Sequence, residues 1–258
     1  MSYEEFSSIE NIELPQVLLL ESESKKLLYF GSYHSNEKTD TIFHLIRDEW
    51  NRFEPDFVLH EGGSNWPIYK DIDSTILISG EPGFIIQLSK EQNVQFASIE
   101  APEEEEYQHL LEKYEFDWVV LMYLCRQIDQ QKRLAEANKT TEDEFVRNMD
   151  YFLRMLNEKG IDLEENQQKF SYWKAKYQEL LKEELVWREF NAKNYYPNFY
   201  LSQLNEINRA SDQFRNEYMV EKIFNQLAIS DKVFVVVGGG HLIIQEALIR
   251  HQFKKLAD

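Results

Sequence analysis

The segment "SDKVFVVVGGGHLIIQEALIRHQF" constrains the fold more than any other part of the chain. Val233 to Val237 are apolar without a break, so both faces of an extended segment there must be covered. That is the environment of a central strand in a parallel sheet. A glycine turn and an amphipathic helix follow, which is how one βα unit ends.

Earlier runs supply partners for this strand. "PQVLLLES" and "KKLLYFGS" read as strands joined like a hairpin. "TDTIFHLIRDEWNRF" reads as a helix that Asp40 caps, with Ile42, Phe43, Leu45, Ile46, Trp50 and Phe53 as its apolar stripe. "PDFVLHEGG" and "VQFASIEAP" are further strands. Between them "EPGFIIQLSKEQN" reads as a helix with Pro82 in its first turn and Glu81 at its positive end. The order βαβαβ predicts an α/β fold with a central, mostly parallel sheet and flanking helices.

Residues 103–229 contain no convincing strand, and they predict four or five helices. Capping-box patterns stand at Thr141-x-x-Glu144 and Asp162-x-x-Glu165, and Glu103–Glu106 reads as a charged first turn. "KNYYPNFY" interrupts the helices around Pro197. The expectation is a single α/β domain over 1–258 in which 103–229 form a helical insertion, a cap over the sheet.

Composition excludes several classes. A net charge of −18 argues against unassisted binding to nucleic acid or anionic membranes. Cys125 is the sole cysteine, which excludes an internal disulfide framework and a cysteine-based zinc cluster; its apolar surroundings predict a buried thiol. The acidic start "MSYEEFSSIENIELP" lacks the pattern of a signal peptide, and no apolar run approaches the roughly 20 residues of a membrane span. A cytoplasmic location is expected.

The candidate chemistry lies where strands end. "LLYF" runs into Gly31-Ser32-Tyr33-His34, "FVLH" into Glu61, "FASI" into Glu100, and "VFVVV" into Gly238-Gly239-Gly240-His241. The carboxyl ends of parallel strands share one edge of a sheet, so distant residues can converge there. Two imidazoles and a carboxylate (His34, Glu61 and His241) can hold a divalent ion that activates water. The same groups without metal suit general acid–base work, with Glu100 or Glu81 in a second role. The residues do not choose between the two schemes. The glycine run also has an alternative reading, as an anion nest at a helix N-terminus. His60 points to the opposite face from Glu61 and reads as structural, and His44, His109 and His251 sit within helical patterns.

With these motifs the chain resembles a superfamily that joins Tiki-type proteases, TraB-type pheromone-shutdown proteins, erythromycin esterases and ChaN-like haem-binding lipoproteins. Its mark is a pair of G-x-x-H motifs near the ends of the domain with acidic residues between them. Here these look like Gly31–His34 and Gly238–His241, with Glu61 and Glu100 between. "FRNEYMVEKIFNQL" is similar to the Arg-bearing helix before the last strand, which places Arg215 as an anion-binding or glutamate-orienting residue. The resemblance covers about residues 26–102 and 211–250. Ser32 departs from the Gly-Glu-x-His or Gly-Thr-x-His form of many members.

The resemblance implies a hydrolase of ester or amide bonds acting on a small molecule or peptide. A divalent metal (Mn, Co or Zn) is one form of that expectation. A haem-binding module is an alternative, with Tyr33, Tyr195 and Tyr196 as candidate ligands. A further alternative is a non-catalytic domain whose acidic insert binds a basic partner, and helical inserts also supply homodimer contacts. A non-haem iron oxygenase fits poorly, because its triad favours the interior of a β-barrel.

Overall fold

A computed structural model describes residue 5 and residues 13–63, 66–138 and 140–257. Most of the acidic start "MSYEEFSSIENIELP" lies outside the described residues. The chain divides into two compact units, Met1–Ala101 with Arg215–Asp258, and Pro102–Phe214.

The first unit is an α/β layer structure. Its strands are β1 (Gln16–Glu21), β2 (Lys26–Ser32), β3 (Phe57–His60), β4 (Gln95–Ser98) and β5 (Lys232–Gly238). They form one sheet in the order β1-β2-β5-β3-β4. β5 pairs in parallel with both β2 and β3, β3 pairs in parallel with β4, and only the edge strand β1 is antiparallel. The hairpin expected between β1 and β2 closes through Ser22 and Lys25, whose backbone groups hydrogen-bond at 2.8 Å.

The uninterrupted apolar run is the central strand. Val233, Phe234, Val235, Val236 and Val237 are all buried. Val233, Val235 and Val237 pack with Met219, Val220, Ile223, Leu242 and Ile249 on one face of the sheet. Phe234 and Val236 pack with Ile42, Ile46, Trp50, Phe84 and Ile85 on the other. Burial of each such side chain stabilises by about 1.5–3 kcal/mol, so a polar residue in this strand would be expensive.

Two helices cover the second face. α1 (Thr41–Phe53) starts at Asp40, whose carboxylate accepts the Ile42 N–H. The expected stripe is buried except for Leu45, which is exposed. α2 (Ile72–Glu91) begins before the segment read as helical and is broken at Gly80, with φ 52° and ψ −144°. Only glycine takes such a backbone without strain. The break makes Glu81 and Pro82 open a second helical segment, as the sequence predicts.

The second unit is helical. It contains α3 (Glu103–Leu111), α4 (Phe116–Asn138), α5 (Glu142–Glu158), α6 (Phe170–Leu181) and the first part of α7 (Gln203–Ile229). Glu103–Glu106 form the first turn of α3, and Thr141 and Glu144 make a reciprocal capping box on α5. The second capping pattern is a turn instead. α6 starts at Phe170, whose N–H is taken by Asp150 of α5 rather than by Asp162. The core of this unit joins Phe145, stacked on Trp187 at 4.2 Å, with Trp173, Tyr177 and the buried Cys125. Burial pushes the Cys125 thiol pKa far up, as expected of an inert core cysteine.

The expected return to the sheet at residue 229 comes earlier in the chain. From Arg215 onward α7 belongs to the first unit, because Met219, Val220, Ile223 and Leu227 pack on the sheet. α8 (Gly239–Ala257) follows β5 directly. Among the described residues no helix is long and apolar enough to cross a membrane.

Candidate active site

Parallel pairing brings the ends of β2, β5 and β3 into line. Ser32 is opposite Gly238, and His60 is opposite Val236, so Glu61 emerges beside the end of β5. The Glu61 N–H continues the ladder to the Val236 carbonyl at 3.1 Å. Its side chain turns toward β5, where Oε2 accepts the Gly238 N–H at 2.5 Å. Glu61 Oε1 lies 3.7 Å from His241 Nε2 in the first turn of α8. Both side chains are largely shielded, at 19% and 16% exposure.

His34 arrives from β2. A Cβ added to Gly238 would lie 3.2 Å from Glu61 Oε2 and 3.7 Å from His34 Nε2, so both side chains border this glycine. Any larger residue would intrude between them. His34 Nδ1 is 3.7 Å from Glu81 Oε2; the imidazole is 72% exposed and the carboxylate 4%. Glu81 is held by the Ser35 N–H, which donates to its Oε1 at 2.5 Å. The break at Gly80 is part of this arrangement, since a Cβ there would meet the Ser35 carbonyl at 3.0 Å.

Glu100 and Arg215 form a separate bidentate pair. Arg215 Nη2 donates to Glu100 Oε1 at 2.8 Å, and Nε donates to Oε2 at 3.2 Å. Two parallel charge-assisted bonds fix a guanidinium in plane and direction. The pair is within electrostatic reach of Glu61. Burial raises the Glu61 pKa, but His241, the Gly238 N–H, Arg215 and His34 together outweigh it and hold the carboxyl below its ordinary value. The six residues singled out in the sequence therefore form contacts or charge couplings within one unit.

The glycine run has more than one task. The Gly238 N–H is occupied by the Glu61 carboxylate, which is where an anion would sit in a nest. Gly31 lies where β2 meets α8, because a Cβ there would be 3.0 Å from the Gly239 Cα. His60 is buried, as its opposite-facing position predicts, with Nδ1 3.1 Å from the Glu61 carbonyl. Burial lowers its pKa, against the smaller raising effects of that carbonyl and of Glu100. Burial thus favours the neutral imidazole.

Sequence reasoning missed the groups behind His241. His241 Nδ1 lies 2.8 Å from Asn216 Oδ1, which also accepts from Gln245 Nε2 at 2.6 Å. Gln245 Oε1 in turn accepts from the Tyr29 hydroxyl at 2.9 Å. The available signal was the spacing of His241 and Gln245, four residues apart and so on one face of α8.

Among the described residues no group of three or more His, Cys, Asp or Glu side chains is placed to hold a metal ion. In this arrangement His34, Glu61 and His241 are not gathered into such a three-ligand set. The phenols considered for haem are otherwise engaged. Tyr33 donates to Asp40, while Tyr195 and Tyr196 donate to Asp129 in the helical unit. No family model, curated protein or solved structure matches the chain.

Proposed function

We propose that the chain is a hydrolase of ester or amide bonds in a small molecule or peptide, with its reaction centre at Glu61 and His241. The observation that carries this reading is the shielded Glu61–His241 pair at the sheet edge, with His34 bordering the same glycine. A carboxylate beside an imidazole stabilises the imidazolium that forms during proton transfer. His241 Nε2 takes a proton from water as the water oxygen bonds to the carbonyl carbon. The carbonyl π pair moves onto oxygen, giving a tetrahedral oxyanion. On collapse the C–O or C–N bond breaks, and the proton held by His241 passes to the leaving group. Arg215, aimed by Glu100, stabilises the negative charge on the carbonyl oxygen. Glu81 orients His34, which meets the substrate from the exposed side.

The test is a panel of chromogenic esters and peptide amides, assayed with wild type, His241→Ala, His34→Ala and Glu61→Gln. Hydrolysis that depends on His241 and Glu61 is expected. Turnover that survives in His241→Ala and His34→Ala, or no turnover across the panel, overturns the reading. Elemental analysis of the same samples tests the metal form of the proposal, with added Mn, Co or Zn as the second arm. Stoichiometric metal lost in both histidine variants would add an ion to this site.

A further inference from the structure

The hydrogen bonds behind His241 have a direction that can be read from the chemistry of their ends. Asn216 Oδ1 receives two contacts, from Gln245 Nε2 and from His241 Nδ1. An amide oxygen accepts and cannot donate, so a proton must sit on His241 Nδ1. The tautomer follows from which way the two amides are turned. Reversing both would place Asn216 Nδ2 against the imidazole and force the opposite tautomer. Tyr29 does not decide the matter, because a hydroxyl can donate or accept. Met219 does. Its Sδ lies 3.4 Å from Gln245 Nε2, and a thioether sulfur can only accept. The amide nitrogen of Gln245 therefore belongs on the side of Met219 and Asn216, which fixes the polarity of the chain up to His241.

Tyr29, Asn216, Met219 and Gln245 are all buried, so water does not compete freely for these bonds. The Tyr29 phenol is held protonated: burial, then the charges of Glu61 and Glu100, push its pKa well up. The hydroxyl donates to Gln245 Oε1 at 2.9 Å. A neutral imidazole in water favours the Nε2–H form, so this arrangement works against the intrinsic preference of the ring.

We infer that the buried chain Tyr29–Gln245–Asn216 locks neutral His241 as its Nδ1–H tautomer, which makes Asn216 a positioning residue that keeps the basic nitrogen, Nε2, toward Glu61. The catalytic meaning of the lock rests on the reading of His241 as the base, whereas the tautomer itself does not.

The experiment is long-range 1H–15N NMR of histidine-labelled, chelator-treated full chain at a pH where the imidazoles are neutral, with His241→Gln used to assign the signal. Wild type should show His241 with a protonated, pyrrole-type Nδ1 and a bare, pyridine-type Nε2. Asn216→Asp keeps an acceptor and should preserve that pattern, while Asn216→Leu should move the ring toward Nε2–H. In an active preparation Asn216→Leu should lower kcat about tenfold or more with a smaller change in KM. A wild-type His241 found as Nε2–H overturns the inference, and so does an unchanged tautomer in Asn216→Leu. If Asn216→Leu does not fold, the wild-type and Asn216→Asp spectra decide alone. The expected tautomer in a protein that hydrolyses nothing would leave the lock standing and remove the hydrolase reading. Hydrolysis with an Nε2–H His241 would do the reverse.

Discussion

Glu61 and Gly238 meet across two neighbouring parallel strands, the carboxylate of one accepting the backbone N–H of the other at 2.5 Å. The bond is formed to the ionised carboxylate, and with His241, Arg215 and His34 it depresses the Glu61 pKa below 4.5 against the opposing effect of burial. A depressed carboxylate pKa contributes stability that is present above the unfolded value and is lost as pH falls through the folded one. Wild type should therefore lose its stability advantage over Glu61→Gln as pH drops below about 4.5. Thermal melts of both proteins at acidic pH check this, with the difference shrinking as pH falls below that value. Activity in Glu61→Gln should fall by about 10²–10⁴-fold if the residue supports proton transfer.

Gly238→Ala probes the same corner sterically. The new methyl would crowd Glu61 Oε2 at 3.2 Å and approach His34 Nε2. Hydrolysis should fall by about tenfold to a hundredfold through misplacement of the two groups. Far-UV circular dichroism should stay unchanged, since the backbone of Gly238 lies outside the positive-φ region. A variant with full activity would show that the space between Glu61 and His34 is not used.

Arg215 and Glu100 should behave as a coupled pair. Arg215→Met leaves Glu100 without its bidentate partner, and each side chain is 20% exposed. After allowance for solvent screening the loss in unfolding free energy should be about 1 kcal/mol. Urea denaturation of both single variants and of Arg215→Met/Glu100→Gln checks it, the double variant losing less than the sum. Arg215→Lys should not restore activity, because an ammonium cannot reproduce the two-bond geometry.

Gly80→Ala tests whether the break in α2 sets Glu81. Its φ of 52° and ψ of −144°, with the Ser35 carbonyl 3.0 Å from the added carbon, predict destabilisation of about 1–3 kcal/mol. Equilibrium denaturation gives the number. The backbone resonance of Ser35 should shift in an HSQC spectrum, because that N–H binds Glu81.

The parts of the fold legible in the sequence were those governed by local periodicity. Val233–Val237, the Asp40 and Thr141 caps and the glutamate first turn of α3 each declare themselves within a few residues. Asp162 misled because a side chain from another helix, Asp150, caps α6, and no local pattern carries that information. The break at Gly80 hid the first half of α2 for a similar reason, since two helical segments meet at a backbone state only glycine adopts. At the site, the strand-end rule placed His34, Glu61 and His241 near one another. It could not find Asn216, whose role depends on how α7 lies against α8. Nor could it show that Glu81 would serve His34 while Glu100 served Arg215.

The position of β5 has a consequence for how the chain is made. This strand is the last in sequence yet lies between β2 and β3, and it alone joins the two halves of the sheet. During synthesis the pairs β1–β2 and β3–β4 leave the ribosome early, but they have no hydrogen bonds to each other until residues 232–238 appear. The helical unit, whose residues are contiguous from Pro102 to Phe214, is complete before then. The nascent chain therefore carries two unpaired apolar strand edges through the translation of more than a hundred residues, a state that aggregates unless it is shielded. Loss of the final strand would not merely trim the protein. It would leave two half-sheets, with Glu61 on one and His34 on the other.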